Sequence, residues 1–161
     1  MNEAFNLAEK AYKAMEVPVG CVFVYKGEII GRGYNDVNRT KNSTRHAEMV
    51  AYDEMREWCL DKNLILENII NEVELYVTLE PCIMCASAMV QLGIKKMVFA
   101  ASNERFGGIH SVSNISNYGN TKNSFVFISN VDEERSISLL RKFYDRENVQ
   151  APEDKRKLKK V

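Results

Sequence analysis

The 161-residue chain predicts a single α/β domain built around a mixed β-sheet. Two β-rich runs, Val17–Tyr25 and Ile29–Tyr34, are separated by the turn Lys26-Gly27-Glu28 and indicate an opening hairpin. After this hairpin, predicted helices and strands alternate, and neither repeats nor a linker divide the chain. A chain of this length buries about two-thirds of its unfolded surface, so it needs neither disulfides nor a metal merely to fold.

The four predicted helices carry apolar residues at helical spacing or have typical residues at their ends. Their expected ranges are Asn2–Met15, Arg45–Lys62, Cys82–Leu92 and Val131–Arg146. Ser43 and Thr44 are expected to cap the second helix, and Gly93 is expected to end the third.

Three further strands complete the predicted sheet. Their ranges are Val73–Leu79, Lys96–Ala101 and Phe125–Ile128. The stretch Ser102–Asn123, rich in Asn and Ser, is long for a loop without regular structure. Because such loops often carry function, we expect this one to do so.

The charge of the chain is balanced overall but unevenly distributed. Its 22 basic and 22 acidic residues cancel, so no global field attracts a nucleic acid. The segment from Glu153 onward carries a net charge of about +3, which leaves about −3 for the rest. We therefore divide the chain into a domain over residues 1–150 and a basic C-terminal tail over residues 151–161. The tail either contacts nucleic acid or is a solvated terminus that aids solubility.

The composition indicates an intracellular protein, in the cytoplasm, the nucleus or both. No apolar run approaches the ~20 residues of a membrane span, so no membrane partner is expected. The first fifteen residues alternate charged with apolar side chains and are not typical of a signal peptide. In a reducing compartment, the four cysteines are not expected to form disulfides.

Two cysteines three residues apart, Cys82 and Cys85, follow Pro81. Alone, they fit a redox dithiol, half of a structural zinc site, half of a catalytic zinc site, or buried thiols. His46, at the predicted start of the second helix, supplies a third candidate ligand. Three protein ligands are typical of catalytic zinc, because the fourth tetrahedral position stays open for water.

The remaining cysteines and the second histidine are weaker candidates for a fourth ligand. Cys21 lies in an apolar strand and Cys59 on the apolar face of a helix, so both are expected in the core. His110 falls in the long loop with no partner at ligand spacing and is expected at the surface.

Local helix geometry favours the metal hypothesis. Pro81 suits the beginning of a helix, which places both cysteines in its first turn, where exposed N–H groups favour thiolates. Glu48, two residues after His46, is the candidate general base for a zinc-activated water. Residues two apart lie on opposite sides of a regular helix, so this role requires His46 at the very start of the helix.

The combination of His46-Ala47-Glu48 with Pro81-Cys82-Ile83-Met84-Cys85 resembles the zinc-dependent nucleoside and nucleobase deaminases. Further stretches are similar to the tRNA adenosine deaminases, and closest to the catalytic subunit of the eukaryotic wobble-adenosine enzyme. These stretches are "EVPVGCVFVYKGEIIGRGYNDVN", "TRHAEMVAYDEM", "LYVTLEPCIMCASAM", "NERFGG" and "LLRKFYDREN".

The resemblance implies a three-layer α/β/α cytidine deaminase-like fold with a central five-stranded mixed sheet. It implies hydrolytic deamination of adenosine to inosine at the wobble position (34) of tRNA anticodons, with one Zn²⁺ per chain. Carried over by motif, His46, Cys82 and Cys85 bind the metal, and Glu48 shuttles protons. The matching substrate-binding positions are Val19, Asn35, Ala47, Leu79 and Asn103; each of these is also an ordinary core or turn residue by type.

The expected partners are the tRNA anticodon loop and a second subunit. Relatives in the eukaryotic group act as heterodimers with a related non-catalytic subunit, whereas bacterial ones are homodimers. The small-residue run Ala86-Ser87-Ala88 allows close approach of another helix, from a partner or from the same chain. The candidates for RNA contact are Arg39, Lys41, Arg45, Arg105 and the basic tail.

Three alternatives remain at this stage. A deaminase for free cytosine, guanine or a nucleoside would share the zinc site but would not need the tail or "NERFGG". A non-catalytic RNA-binding subunit with structural zinc would have no need of Glu48. A thioredoxin-like dithiol would leave both His46 and Glu48 unexplained.

Overall fold

The computed structural model describes residues 1–115 and 125–146. The strands are β1 (Gly20–Tyr25), β2 (Glu28–Tyr34), β3 (Val73–Val77), β4 (Lys96–Phe99) and β5 (Val126–Ile128). The helices are α1 (Asn2–Lys13), α2 (Val37–Thr40), α3 (Ala47–Asp61), α4 (Leu66–Ile69), a 3₁₀ turn (Ile70–Glu72), α5 (Ile83–Leu92) and α6 (Glu133–Tyr144).

The strands form one sheet in the order β2-β1-β3-β4-β5. β1 pairs antiparallel with both β2 and β3, whereas β3, β4 and β5 run parallel to one another. The predicted mixed five-stranded sheet is therefore confirmed.

The register of β1 and β2 shows that helices cover both faces of the sheet. Gly20 pairs with Tyr34 and Cys21 with Gly33, so Gly20 and Gly33 lie on opposite faces. A Cβ added to Gly33 would come within 2.2 Å of the Ala47 carbonyl oxygen in α3. One added to Gly20 would meet α1 instead. The hairpin therefore lies between α1 and α3.

The other two long helices complete the layers. On α5, Ala86 and Met89 pack in the same buried cluster as Leu75 of β3 and Met55 of α3. α6 contacts α1, with the guanidinium of Arg135 4.1 Å from the ring centroid of Phe5. The sheet thus lies between α3 with α5 and α1 with α6, and the predicted three-layer α/β/α fold is confirmed.

Several elements are shorter than the sequence predicts. β1 begins at Gly20 rather than Val17, and β3 ends at Val77 rather than Leu79. Pro18 has no N–H to donate to the ladder, and the N–H of Gly20 donates to the Thr78 hydroxyl oxygen at 3.2 Å. α2 and α4 were not predicted, because four residues are too few to show a period.

The predicted caps of the second helix are wrong. Its N-cap is His46, and α3 begins at Ala47 rather than Arg45. Thr44 is instead held in a local turn, where its N–H donates to Asn42 Oδ1 at 3.0 Å. The N–H of Ala47 donates to Asn35 Oδ1 at 2.9 Å, so a residue twelve positions earlier caps the helix.

The second part of the predicted loop, residues 116–124, and the basic tail lie outside the described residues. Residues 102–115 form turns rather than a strand or long helix. Within the described ranges, no helix has both the length and the apolar content of a membrane span.

Gly33→Ala is expected to destabilise the fold by about 1–3 kcal/mol, because the new methyl group would overlap the α3 backbone. Chemical denaturation monitored by circular dichroism measures this change. Glu28→Ala, at an exposed position of the same strand, is the control and should stay within about 0.5 kcal/mol. Equal effects of the two substitutions would contradict close packing of α3 on β2.

Candidate active site

The candidate site lies at one edge of the sheet, where several strands end together. β2, β3 and β4 run in the same direction, so the residues that follow them meet at this edge. These residues are Asn35 after β2, Leu79 after β3 and Ser102 after β4, and Val19 joins them from the start of antiparallel β1. Ligand sites of α/β proteins commonly form at such strand ends.

Two helix N-termini converge on the same edge. His46 is the N-cap of α3 and Cys82 the N-cap of α5, both with extended backbone. The sequence predicts Cys82 in the first turn of its helix. In the structure Cys82 is the N-cap of α5, one residue before the first turn. Because His46 precedes the first helical residue, it does not follow helical spacing relative to Glu48. The requirement that His46 begin the helix is therefore met.

His46, Cys82 and Cys85 form a compact donor set. The Nδ1 atom of His46 lies 3.5 Å from Cys82 Sγ and 3.6 Å from Cys85 Sγ. All three donor atoms lie within 4.8 Å of one another. The set can therefore hold one metal ion. Cys21 and Cys59 are buried in the hydrophobic core, as the sequence predicts.

The two cysteines differ in the pKa of their thiols. The hydrogen bond from the Cys85 thiol is the main cause that lowers the pKa of Cys82 to about 4; burial opposes it and His46 adds to it. The same hydrogen bond and burial raise the pKa of Cys85. The hydrogen bond to Cys82 also raises the pKa of His46. One proton is thus shared between the sulfurs, and a cation binding to both would displace it.

Glu48 is buried in the first turn of α3 and faces the same cavity. Burial raises the pKa of its carboxyl, and the charge of Cys82 raises it further. The backbone N–H, the charge of His46 and the Cys85 thiol lower it in part. A buried carboxyl group beside a donor set is suited to holding and releasing a proton.

A cavity of about 930 Å³ opens over this cluster. Of the positions matched to substrate binding, Val19, Asn35, Leu79 and Asn103 line it together with His46, Glu48 and Cys82. Ala47 is fully buried and does not line the cavity; its N–H holds Asn35 in place. The volume falls in the range of sites that bind small organic ligands.

No sequence pattern indicated a role for Glu80, which lies beside the site in the structure. Its side chain is buried and accepts hydrogen bonds from backbone N–H groups of the loop that follows β4. Burial alone would raise the pKa of this carboxyl, but hydrogen bonds from Ser111 and from the backbone of Asn103 and His110 outweigh it and lower the pKa. The only sequence feature that could have indicated this role is the position of an acidic residue next to the end of a predicted strand.

One wall of the cavity comes from α6, which the sequence analysis also did not assign to the site. The lining residues of this helix are Glu133, Ile137, Leu140, Arg141 and Tyr144. Their helical spacing is visible in the sequence, but the same spacing is typical of an ordinary core-facing stripe. Only the tertiary packing distinguishes these two cases.

The basic residues proposed to contact RNA fall into two groups. Arg39 is paired with Asp36, and Arg45 lies 2.7 Å from a carboxylate oxygen of Asp53. Across residues 1–115 and 125–146, no carboxylate forms an ion pair with Lys41 or Arg105. The guanidinium of Arg105 lies 5.0 Å from the ring centroid of exposed Phe106, at the cavity wall.

Comparison with known proteins identifies the relatives of the chain. Residues 1–101 match the family described as the cytidine and deoxycytidylate deaminase zinc-binding region. tRNA-specific adenosine deaminase 2 of Xenopus tropicalis is 45% identical over 157 residues, which cover 96% of this chain and 92% of the relative. A tRNA-specific adenosine deaminase subunit of Schizosaccharomyces pombe is 40% identical over 161 residues, covering 100% of this chain and 40% of that protein.

A solved structure from studies of A-to-I editing by tRNA:A34 deaminases at the wobble position superposes with a TM-score of 0.75. It is 28% identical, and the match covers 87% of this chain and 97% of that one. Family model, sequence relatives and fold agree with the resemblance noted in the sequence motifs. The chain belongs to the cytidine and deoxycytidylate deaminase family, in the group of the tRNA-specific adenosine deaminases.

Proposed function

We propose that this chain catalyses hydrolytic deamination of adenosine to inosine at the wobble position (34) of tRNA anticodons. The observation that carries this proposal is the placement of Glu48 beside His46, Cys82 and Cys85 in one open cavity. The kinship with tRNA-specific adenosine deaminases points to the substrate. An anticodon loop suits such a site because its bases are already unpaired and can leave the stack at low cost.

The donor set fits Zn²⁺. A tetrahedral zinc ion with ordinary Zn–N and Zn–S bond lengths separates the nitrogen and sulfur ligands by about 3.6 Å. The observed separations from His46 Nδ1 to the two sulfurs are 3.5 and 3.6 Å. One imidazole and two thiolates are ligands that zinc prefers, and three of them leave a position for water. When bound, zinc supplies Lewis acidity that lowers the pKa of water to near 7.

Glu48 moves the protons of this reaction. Its carboxylate takes one proton from the attacking water and gives it to the ring nitrogen. It then carries the second proton, from the hydroxyl group now on C6, to the amine, which leaves as ammonia while the C6 carbonyl forms. The buried position keeps bulk water from competing for these protons. Retention of this carboxylate also distinguishes the chain from a non-catalytic subunit.

In this proposal, Asn35 recognises the base. Only the amide oxygen can accept the N–H of Ala47, so Oδ1 is engaged and Nδ2 remains to donate to an acceptor on the purine. Val19 and Leu79 supply apolar walls. Both ends of the Asn103 amide are engaged, since Oδ1 accepts the N–H of Phe106 at 3.1 Å and Nδ2 donates to the Glu80 carbonyl oxygen at 3.5 Å. We assign Asn103 to shaping the wall next to the RNA backbone.

A second deaminase-like subunit is part of the proposal. It is a related non-catalytic chain or a second copy of this one. The S. pombe relative is named as a subunit, and apolar side chains are exposed beside the cavity. Ile83 and Phe106 are 44% and 55% exposed, respectively. By contrast, Ala86 is buried in the core of this chain, so intramolecular packing accounts for it.

The purified chain, with its zinc content measured, is expected to convert adenosine 34 of a tRNA transcript to inosine. The reaction is followed by sequencing and by nucleoside analysis. Activity of the chain alone favours a homodimer. Activity only after addition of a co-purified subunit favours the heterodimer. Activity on free cytosine or guanine, with none on tRNA in either assembly, would contradict the proposal.

Glu48→Gln is expected to lower kcat by about 100-fold or more, because the amide cannot carry the proton. Zinc should remain near one ion per chain, measured by atomic absorption, since Glu48 is not placed as a ligand. Glu57→Gln, at an exposed position of the same helix, is the matched control and should keep full activity. Loss of zinc together with activity in Glu48→Gln would make Glu48 a structural residue.

Arg105→Ala is expected to weaken tRNA binding and to reduce the slope of log K against log salt by about one. Arg39→Ala removes the same charge from a group that Asp36 already neutralises, and should change binding less. Fluorescence anisotropy at several salt concentrations measures both. A larger effect at Arg39 would contradict RNA contact at Arg105 and place the RNA backbone near α2 instead.

A further inference from the structure

We propose that Glu80 is a positioning residue for RNA binding, which acts by holding the loop Asn103–Ser111 in the shape that walls the cavity. This inference rests on the proposed function. Glu80 lies between Leu79, which lines the cavity, and the Pro81-Cys82 turn. Its side chain reaches away from the donor set into the loop that follows β4.

The two carboxylate oxygens of Glu80 are saturated by donors from this loop. Oε1 accepts the N–H groups of Ile109, His110 and Ser111 at 3.0, 2.9 and 3.1 Å. Oε2 accepts the N–H of Asn103 at 2.9 Å and the hydroxyl of Ser111. Five hydrogen bonds from four residues thus converge on one buried anion, in the manner of a backbone anion nest.

The loop that Glu80 holds is one continuous wall of the cavity. Residues 102–106 all line it, and they include Arg105 and the exposed ring of Phe106. None of these five residues belongs to a helix or strand. Other contacts anchor the later part of the loop. Backbone hydrogen bonds join Phe106 and Gly108 to residues 81–83, Ile109 lies in the hydrophobic core, and the ring of His110 stacks on two phenylalanines. The network around Glu80 instead fixes Asn103, at the beginning of the wall, so the shape of residues 103–105 depends on Glu80.

Gly107 shows how closely the loop is fitted to the carboxylate. A Cβ at this position would lie 2.3 Å from Glu80 Oε2 and 2.6 Å from the carbonyl oxygen of Asn103. The loop also touches α5, because the N–H of Ile83 donates to the Phe106 carbonyl at 3.1 Å. A side chain at position 107 would push the loop away from Glu80 without removing the charge.

A different role for Glu80, as the acid of a hydrolytic triad, does not fit its contacts. Ser102 Oγ lies 3.4 Å from His110 Nε2, and His110 Nδ1 lies 3.7 Å from Glu80 Oε1. These distances are long for such a triad. The Ser102 hydroxyl donates to Asn130 Oδ1, and Glu80 Oε1 already accepts three backbone N–H groups. The carboxylate therefore serves the loop.

The test compares Glu80→Gln with the wild type, both loaded with zinc and in the assembly that is active. The amide nitrogen of the substituted Gln carries two N–H donors, and it would face N–H and hydroxyl groups of the loop that are also donors. These groups repel one another, so the loop should detach. KM for an anticodon stem–loop should rise about tenfold or more, on the scale of one lost hydrogen bond to a charged group. We expect kcat to fall less than about threefold with zinc content unchanged, because Glu48 and the ligands stay in place.

Two further variants test whether the rise in KM follows the contact between the carboxylate and the loop. Gly107→Ala should reproduce the rise in KM while keeping the carboxylate, and Glu80→Asp should restore part of the affinity that Glu80→Gln loses. Val112→Ala, at an exposed position just past the network, is the control and should leave KM unchanged. If Glu80→Gln does not fold, Gly107→Ala and Ser111→Ala decide the question by the same KM measurement.

Other outcomes overturn the inference. An unchanged KM in Glu80→Gln and Gly107→Ala would show that the loop does not need Glu80. Loss of zinc in parallel with activity would place Glu80 as a support of Cys82 instead. If the wild type itself does not act on tRNA, the proposed function fails. Stem–loop affinity and amide hydrogen exchange of residues 103–111 would then still decide whether Glu80 holds the loop.

Discussion

Where β2 crosses α3, the two backbones lie so close that a methyl group at Gly31 would come within 2.5 Å of the Ala51 carbonyl oxygen. Gly33 makes the same contact one turn earlier in the helix, at Ala47. This spacing brings the N-terminus of α3 to the sheet edge at which Asn35 emerges from β2. This contact positions His46 and Glu48 at the cavity, and Asn35 caps α3, the helix at whose N-terminus both residues lie. The proposed ligand His46, the proposed proton carrier Glu48 and the proposed base-recognition residue Asn35 therefore depend on one packing constraint.

Two buried carboxyl groups beside the cavity have opposite environments. Glu80 is surrounded by N–H and hydroxyl donors, which lower its pKa, so it stays ionised and acts as a fixed anion. Glu48 has fewer donors: burial and the charge of Cys82 raise its pKa, and its backbone N–H, His46 and the Cys85 thiol offset this only in part. Burial without compensating donors disfavours the charged form, whereas several donors favour it. The contrast supports the two proposed roles, which are positioning of the loop for Glu80 and proton transfer for Glu48.

The basic side chains near the cavity differ in whether they form ion pairs. The arginines at positions 39 and 45 pair with aspartates, so their charges stabilise the segment before α3. Arg105 has no such partner among the described residues and lies on the wall that Glu80 organises. In a chain without net charge, affinity for RNA depends on the positions of basic side chains that lack a carboxylate partner. Buried hydrogen bonds fix those positions.

The sequence by itself determined the fold class and the family, and it predicted the donor set proposed to hold a metal. Strand and helix periodicity is local, and His46-Ala47-Glu48 with Pro81-Cys82-Ile83-Met84-Cys85 is a short pattern whose residue types are set by the chemistry they perform. It did not determine the cap of α3, because the cap is Asn35 and not the adjacent Ser43 or Thr44. The sequence likewise did not predict that α6 lines the cavity or that Glu80 holds the loop. Both arise from contacts between residues distant in the chain, and an amphipathic stripe or a buried acid has the same local pattern wherever it packs. Only the tertiary structure decided those contacts.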